Sequence, residues 1–201
     1  KKLKVGHAGT LDPLATGVMV ICTGRATKRI DELQAGVKEY VATLALGATT
    51  PSFDLETEVD ATYPVGHITK ELVEETLKKF HGTIQQVPPA FSAVKIDGQR
   101  AYKMARKGQT PELKAKTLVI DDIELLDYAP ESITLRIVCS KGTYIRALAR
   151  DIGEALGSGA HLTALRRTRV GDFTVDRCMS VDEATAMIRD VDITMPDDGQ
   201  D

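Results

Sequence analysis

Tryptophan is absent from the 201-residue chain, and cysteine and histidine are scarce. The three cysteines, Cys22, Cys139 and Cys178, lie far apart. An odd count without a Cys-x-x-Cys pair argues against a disulfide framework and against a structural zinc site. They read as buried, reduced thiols of a cytosolic protein. The four histidines, His7, His67, His81 and His161, show no His-x-His or His-x-x-x-His spacing, so no metal centre is expected. No run of about 18 apolar residues occurs, so no membrane-spanning helix is expected. A basic-then-apolar leader is missing too. Lys1 stands in place of a methionine and a motif begins within six residues, which reads as an internal start. Neither a Gly-x-Gly-x-x-Gly nor a Walker loop is present, which makes nucleotide-cofactor folds poor candidates.

The chain also lacks a strong excess of either charge, the net being −3. Its distribution says more than its sum. Residues 172–201 hold nine acids against two bases, a local −7 that leaves +4 on the first 171. Within Lys95–Lys116 seven bases, including Lys95, Arg106 and Lys107, face only Asp97 and Glu112. A phosphate-contacting surface and an ordinary solvated face fit that stretch equally well.

Length and composition suit one domain. Residues 1–16, rich in Gly, Thr and Pro, read as a loop, and Val18–Cys22 as a short buried strand. Lys38–Leu46 alternates as a strand does. Residues 50–65 read as a loop with some strand. A helix is predicted over Thr69–His81, with Thr69 as N-cap and Gly82 as stop. A short helix follows over Gln99–Lys107. Thr117–Leu126 and Ser132–Cys139 are predicted strands, Tyr144–Leu156 a helix, and Arg169–Val175 a strand. Ser180-Val-Asp-Glu183 is a capping box that opens a last helix. Strands and helices do not alternate as βαβ units, so the fold class is α+β, a mixed, mainly antiparallel sheet with flanking helices. Residues 1–189 form the domain, and the acidic residues 190–201 are expected to be a disordered tail.

Three stretches hold candidate chemistry. Gly6–Gly17 (GHAGTLDPLATG) is a tight loop carrying one carboxylate, Asp12, and one imidazole, His7. Scaffold-held loops are common homes for catalytic groups, although an Asx-turn before Pro13 would explain Asp12 as well. Ser140–Arg146 joins a strand to a helix. Arg146 in a first helical turn opposes the helix dipole and calls for an anion, either a phosphate or a carboxylate such as Asp12. A surface pairing with Asp151 or Glu154 is the plainer alternative. Tyr40, in Lys38-Glu39-Tyr40, could stack on a flipped base or simply fill the core.

The Gly6–Gly17 segment resembles the catalytic motif of the TruB family of pseudouridine synthases. Supporting segments follow in family order: Lys38–Tyr40 with Leu46–Thr50 and Asp54; Pro88-Pro89 through Arg106; Ser140–Arg146; and Gly159–Arg167. Together they span about residues 4–180. The resemblance implies the pseudouridine synthase fold and an isomerase that converts uridine to pseudouridine at position 55 in the T-loop of tRNA. It implies that Asp12 attacks the nucleotide, that Tyr40 stacks on the base and assists the late proton removal, and that Arg146 pairs with Asp12. His7 would replace a stacking partner when the uridine flips out, and Tyr144 and Leu165 would line the uridine site. Either route of attack needs an ionised carboxylate, which a neighbouring guanidinium favours. No cofactor and no metal are implied. The expected partner is the tRNA T-stem-loop, met by a cytoplasmic monomer, with Lys95, Arg106 and Lys107 against the RNA backbone. Family members usually open with a K-P-x-G-W-T-S-like strand, absent here, and many end in an RNA-binding PUA domain, for which too few residues remain. The chain thus reads as a catalytic domain without either. A guide-RNA-dependent relative and a non-catalytic RNA-folding module of the same fold are the alternatives. A glycoside-type hydrolase would need a second positioned carboxylate, which the sequence does not single out.

Overall fold

The computed structural model describes residues 3–92, 95–96, 99–105, 107–108 and 113–190. In chain order the elements are β1 (Val5–His7), β2 (Ala15–Gly17), β3 (Ile21–Thr23), a 3-10 turn over Gly24–Arg29, α1 (Ile30–Ala35), β4 (Lys38–Leu46), β5 (Ala48–Thr49) and β6 (Ala61–Thr62). Next come α2 (Lys70–Lys78), β7 (Gly82–Gln86), β8 (Lys95–Ile96), β9 (Gln99–Arg100), α3 (Ala101–Ala105), β10 (Lys116–Ala129) and β11 (Ser132–Cys139). The chain closes with α4 (Ile145–Ala155), β12 (Ala160–Val170), β13 (Phe173–Thr174), a 3-10 turn over Val175–Arg177 and α5 (Val181–Asp190).

The central sheet runs β13-β12-β4-β11-β10-β7, antiparallel throughout, with β2 added parallel to β12. This is the mixed, mainly antiparallel α+β architecture that the pattern implies. In β4 the alternation of the sequence becomes burial: Ala42, Leu44 and Leu46 face the core. Ile133, Leu135 and Ile137 of β11 lie beside them. Ile145, Leu148 and Ile152 of α4 and Val73 and Leu77 of α2 complete the same cluster. Each fully buried Leu or Ile contributes about 1.5–3 kcal/mol, so the sheet and its helices lock together through this face. Helix α4 lies close against the start of β12. A Cβ on Gly153 would sit 2.2 Å from the Ala160 nitrogen, so only glycine fits at that crossing.

Local signals hold well where they concern caps. The Thr69 hydroxyl accepts from the Leu72 nitrogen at 3.1 Å, and α2 begins at the next residue. At Ser180 the capping box is reciprocal: Ser180 N donates to Glu183 Oε2 at 2.7 Å, and Glu183 N to Ser180 Oγ at 3.2 Å.

Other expectations need correction. Residues 1–16 are not all loop, because β1 pairs with β3 and β2 joins β12; such three-residue strands form only where a partner supplies the ladder. The strand expected at Val18–Cys22 begins at Ile21 instead. The strand expected at Arg169–Val175 is the end of an 11-residue strand, β12, followed by a turn at Gly171 and a short return, β13. Two register shifts break the alternation of β12 against β4, which hides it from a period-two reading. Cys22 and Cys139 are buried as expected, but Cys178 is exposed, in the connection to the exposed helix α5. Asp190 closes α5, and the rest of the expected tail lies outside the described residues. Among the described residues no helix is long and apolar enough to cross a membrane.

Candidate active site

The loop between β1 and β2 is built by three tethers. Ala8 N donates to Val20 O at 2.9 Å, Ala15 N to Asp12 O at 2.9 Å, and Val18 N to Arg167 O at 2.8 Å. From below, Arg167 of β12, 2% exposed, donates to the carbonyls of Val18 (2.8 Å), Thr10 (3.2 Å) and Gly9 (3.3 Å). A buried guanidinium satisfied by backbone carbonyls fixes the path of the loop, and with it the place of Asp12.

Arg146 enters from the first turn of α4. Its Nε donates to Asp12 Oδ2 at 2.9 Å and its Nη2 to Asp12 Oδ1 at 3.0 Å. Nη1 donates to Phe91 O at 3.0 Å and Ser52 O at 3.3 Å. A second carboxylate, Asp54, lies 3.7 Å from the same Nε. The Arg146 side chain is 5% exposed and that of Asp54 4%, whereas that of Asp12 is 32% exposed. The anion that Arg146 needs at that helix end is thus a carboxylate, held in a two-pronged, charge-assisted grip. Asp151 pairs with Arg150 instead, which removes the surface-pairing alternative. The Asp12 carboxylate is engaged by Arg146 rather than by a local turn.

Asp12 borders an open cavity of about 860 Å³, large enough for a flipped nucleotide. Tyr40, Tyr144, Leu165, Arg146, Asp54 and Lys38 also line it. Burial pushes the Tyr40 phenol up to about 12, with Arg167 opposing and the Asp12 charge adding. Burial likewise raises the Tyr144 phenol. Both are therefore neutral hydroxyls at physiological pH. Tyr144 is held by Gln86, 1% exposed, whose amide accepts from Tyr144 N at 2.9 Å and donates to Tyr144 O at 3.1 Å. Lys38 is buried, its ammonium bonded to the carbonyls of Gln34 and, at 2.6 Å, Gly36. Burial lowers its basicity, and Arg167 and Lys141 add repulsion.

The structure therefore brings together Asp12, Arg146, Tyr40, Tyr144 and Leu165. His7 stands apart: it is exposed on β1 and does not line the cavity. Of the basic candidates, Lys107 is exposed just after α3, Lys95 lies in β8, and Arg106 lies outside the described residues. Sequence reasoning gave no role to Asp54 or Arg167. Asp54 was visible only as part of a motif, and nothing in the exposed-looking run Arg166-Arg167-Thr168-Arg169 marks Arg167 as buried. The arrangement offers a partly exposed carboxylate, oriented by Arg146, facing a cavity whose lining combines Tyr40 and Tyr144 with charged side chains, suited to attack on a polarised carbon of a flipped nucleotide.

Comparisons with known proteins identify the family. The family profile of the TruB family pseudouridylate synthase N-terminal domain matches residues 1–145, and that of the tRNA pseudouridylate synthase B C-terminal domain matches residues 146–193. A tRNA pseudouridine synthase B of Parabacteroides distasonis is 71% identical over 183 residues, 91% of this chain and 78% of its own length. That of Bacteroides thetaiotaomicron is 73% identical, over 89% and 76%. That of Mycobacterium bovis is 50% identical, over 90% and 62%. Among solved structures, a Cbf5-Nop10-Gar1 complex contains a chain 34% identical, with a TM-score of 0.64, covering 85% of this chain and 41% of its own. An H/ACA RNP bound to a substrate RNA containing 2′-deoxyuridine has a chain 30% identical, with a TM-score of 0.61, covering 85% and 40%. This chain thus spans about two-fifths of the length of those two. With the matched profiles covering nearly all of it, the chain belongs to the TruB family of tRNA pseudouridine synthases, isomerases that convert uridine to pseudouridine in tRNA.

Proposed function

We propose that the enzyme modifies the uridine at position 55 of the tRNA T-loop, and that Asp12 attacks the flipped-out nucleotide. The observation that carries this reading is the two-pronged Arg146–Asp12 pair at the wall of a nucleotide-sized cavity. Pseudouridylation breaks the N1–C1′ bond, turns the uracil and joins C5 to C1′. Asp12 either attacks C1′ or takes a sugar proton to give a glycal, and both routes use the same oriented carboxylate. Tyr40 stacks on the base and assists removal of the C5 proton. Tyr144 and Leu165 line the uridine site. His7, exposed beside the loop, fills the gap left by the flipped uridine. The bases Lys95, Arg106 and Lys107 contact the backbone of the T-stem-loop, and the enzyme works as a cytoplasmic monomer. The relatives at 50–73% identity support a tRNA substrate over a guide-RNA assembly.

The test is tritium release from [5-³H]uridine-labelled T-arm RNA, with the T-loop uridine intact or replaced by cytidine. Release from the intact loop alone is expected, and Asp12→Asn abolishes it while RNA affinity stays in the wild-type range. Pseudouridine formation by Asp12→Asn would sink the assignment.

A further inference from the structure

The turn after β5 puts an aromatic residue where glycine is the usual occupant. Phe53 has a φ of 64° and is, among the described residues, alone among non-glycines in the left-handed region. Crowding at Cβ disfavours that conformation, and it persists only where the surroundings over-determine it. Here they do. Thr50, Ser52 and Asp54 are all buried. Phe53 N donates to Thr50 O at 3.0 Å, the Thr50 hydroxyl to Asp54 O at 2.7 Å, and Leu162 N of β12 to Phe53 O at 2.8 Å. Ser52 N donates to Thr57 Oγ1 at 3.0 Å and Glu56 N to Asp54 Oδ1 at 2.9 Å.

The chain reversal at Phe53 lets both of its neighbours face one guanidinium. Ser52 O lies 3.3 Å from Arg146 Nη1, and Asp54 Oδ2 lies 3.7 Å from Arg146 Nε. One helical turn further along α4, Arg150 covers the Phe53 ring at 4.8 Å from its centroid and donates to Val87 O at 3.0 Å. Two arginines on one face of one helix therefore grip the same turn, Arg146 through a carbonyl and a carboxylate, Arg150 through the ring.

We propose that Phe53 is a positioning residue for the isomerisation: its left-handed conformation, clamped by Arg150, aims Ser52 and Asp54 at Arg146 and thereby sets the orientation of the Asp12 carboxylate. Phe53 itself does not line the cavity, so it acts on the chemical step and not on RNA affinity. The inference rests on the reading of Asp12 as the attacking group.

The experiment compares Phe53→Gly, Phe53→Tyr, Arg150→Met and Asp12→Asn in the full chain, by tritium release, T-arm RNA binding and thermal melting. Phe53→Gly accepts the left-handed backbone without Cβ crowding but loses the ring. It is expected to fold and to bind RNA within about two-fold of wild type, with kcat down at least about ten-fold. Phe53→Tyr, which keeps the ring, restores kcat to within about two-fold, and Arg150→Met falls between. Wild-type kcat in Phe53→Gly overturns the proposal, as does a loss that appears in RNA affinity and not in kcat. Should Phe53→Gly fail to fold, wild-type kcat in Arg150→Met overturns it instead. Turnover by Asp12→Asn would defeat the reading of Asp12; an inactive Asp12→Asn beside a fully active Phe53→Gly defeats the present proposal alone.

Discussion

Replacing Arg146 by methionine probes how the site is held. The side chain is 5% exposed and donates two hydrogen bonds to Asp12 and one each to the carbonyls of Ser52 and Phe91. Methionine fills much of the volume but leaves those two carbonyls without a donor. It also leaves Asp54, whose side chain is 4% exposed, as a buried charge without its cation. Removing one partner of a buried ion pair costs about 3–5 kcal/mol. In a domain of this length each kcal/mol shifts Tm by about 2–4 °C, so melting falls by roughly 6–20 °C. Asp12 loses both prongs of its grip, and a misplacement of about 1 Å costs on the order of 100-fold in rate. Calorimetric melting and single-turnover tritium release read the two effects separately. Adding Asp54→Asn to the Arg146→Met chain removes the uncompensated charge, so part of the lost Tm returns while turnover does not. Arg146→Lys keeps a charge but not the planar fork, and recovers stability more than rate. A melting point for Arg146→Met within about 2 °C of wild type would refute this reasoning. So would a further loss of stability on adding Asp54→Asn.

Three further outcomes are expected. Gly17→Ala places a Cβ 2.1 Å from the Arg167 carbonyl at a φ of 99°, so β2 detaches from β12 and urea unfolding records a loss of at least about 2 kcal/mol. The Tyr40 phenol is raised from 10.0 to about 12 in the fold; the folded state then holds its proton more tightly than the unfolded chain. Its contribution is complete below pH 10 and is lost as pH climbs toward 12, so the melting temperature of Tyr40→Phe declines less than that of wild type across that window, and equal declines would contradict the burial argument. Lys107→Ala weakens T-arm binding and makes the slope of log affinity against log salt shallower by about 1; an unchanged slope removes Lys107 from the RNA face.

Much of the site was legible because its signals are local. The glycines and Pro13 mark Gly6–Gly17 as a fixed loop, and an arginine in a first helical turn demands an anion, which turned out to be Asp12. What stayed hidden depends on distant partners. Arg167 looks like one of several surface bases, yet the backbone carbonyls of Gly9, Thr10 and Val18 accept from it in the interior. Asp54 acquires meaning only once α4 brings Arg146 beside it. His7, placed near the flipped uridine by its position in the motif, lies exposed on β1 and outside the cavity lining, which only the folded chain reveals.

The sequence by itself determined the strand Lys38–Leu46, the caps at Thr69 and Ser180 and the candidate carboxylate, since periodicity and capping act within a few residues. Only the tertiary structure decided that residues 160–170 form one bulged strand, that Phe53 takes a left-handed turn, and that Arg146 is shared by Asp12 and Asp54. The physical reason is that ladder hydrogen bonds, desolvation and ion pairing are set by groups far apart in the chain, 134 residues for Asp12 and Arg146 and 158 for Gly9 and Arg167, and no short window of sequence contains both members of such a pair.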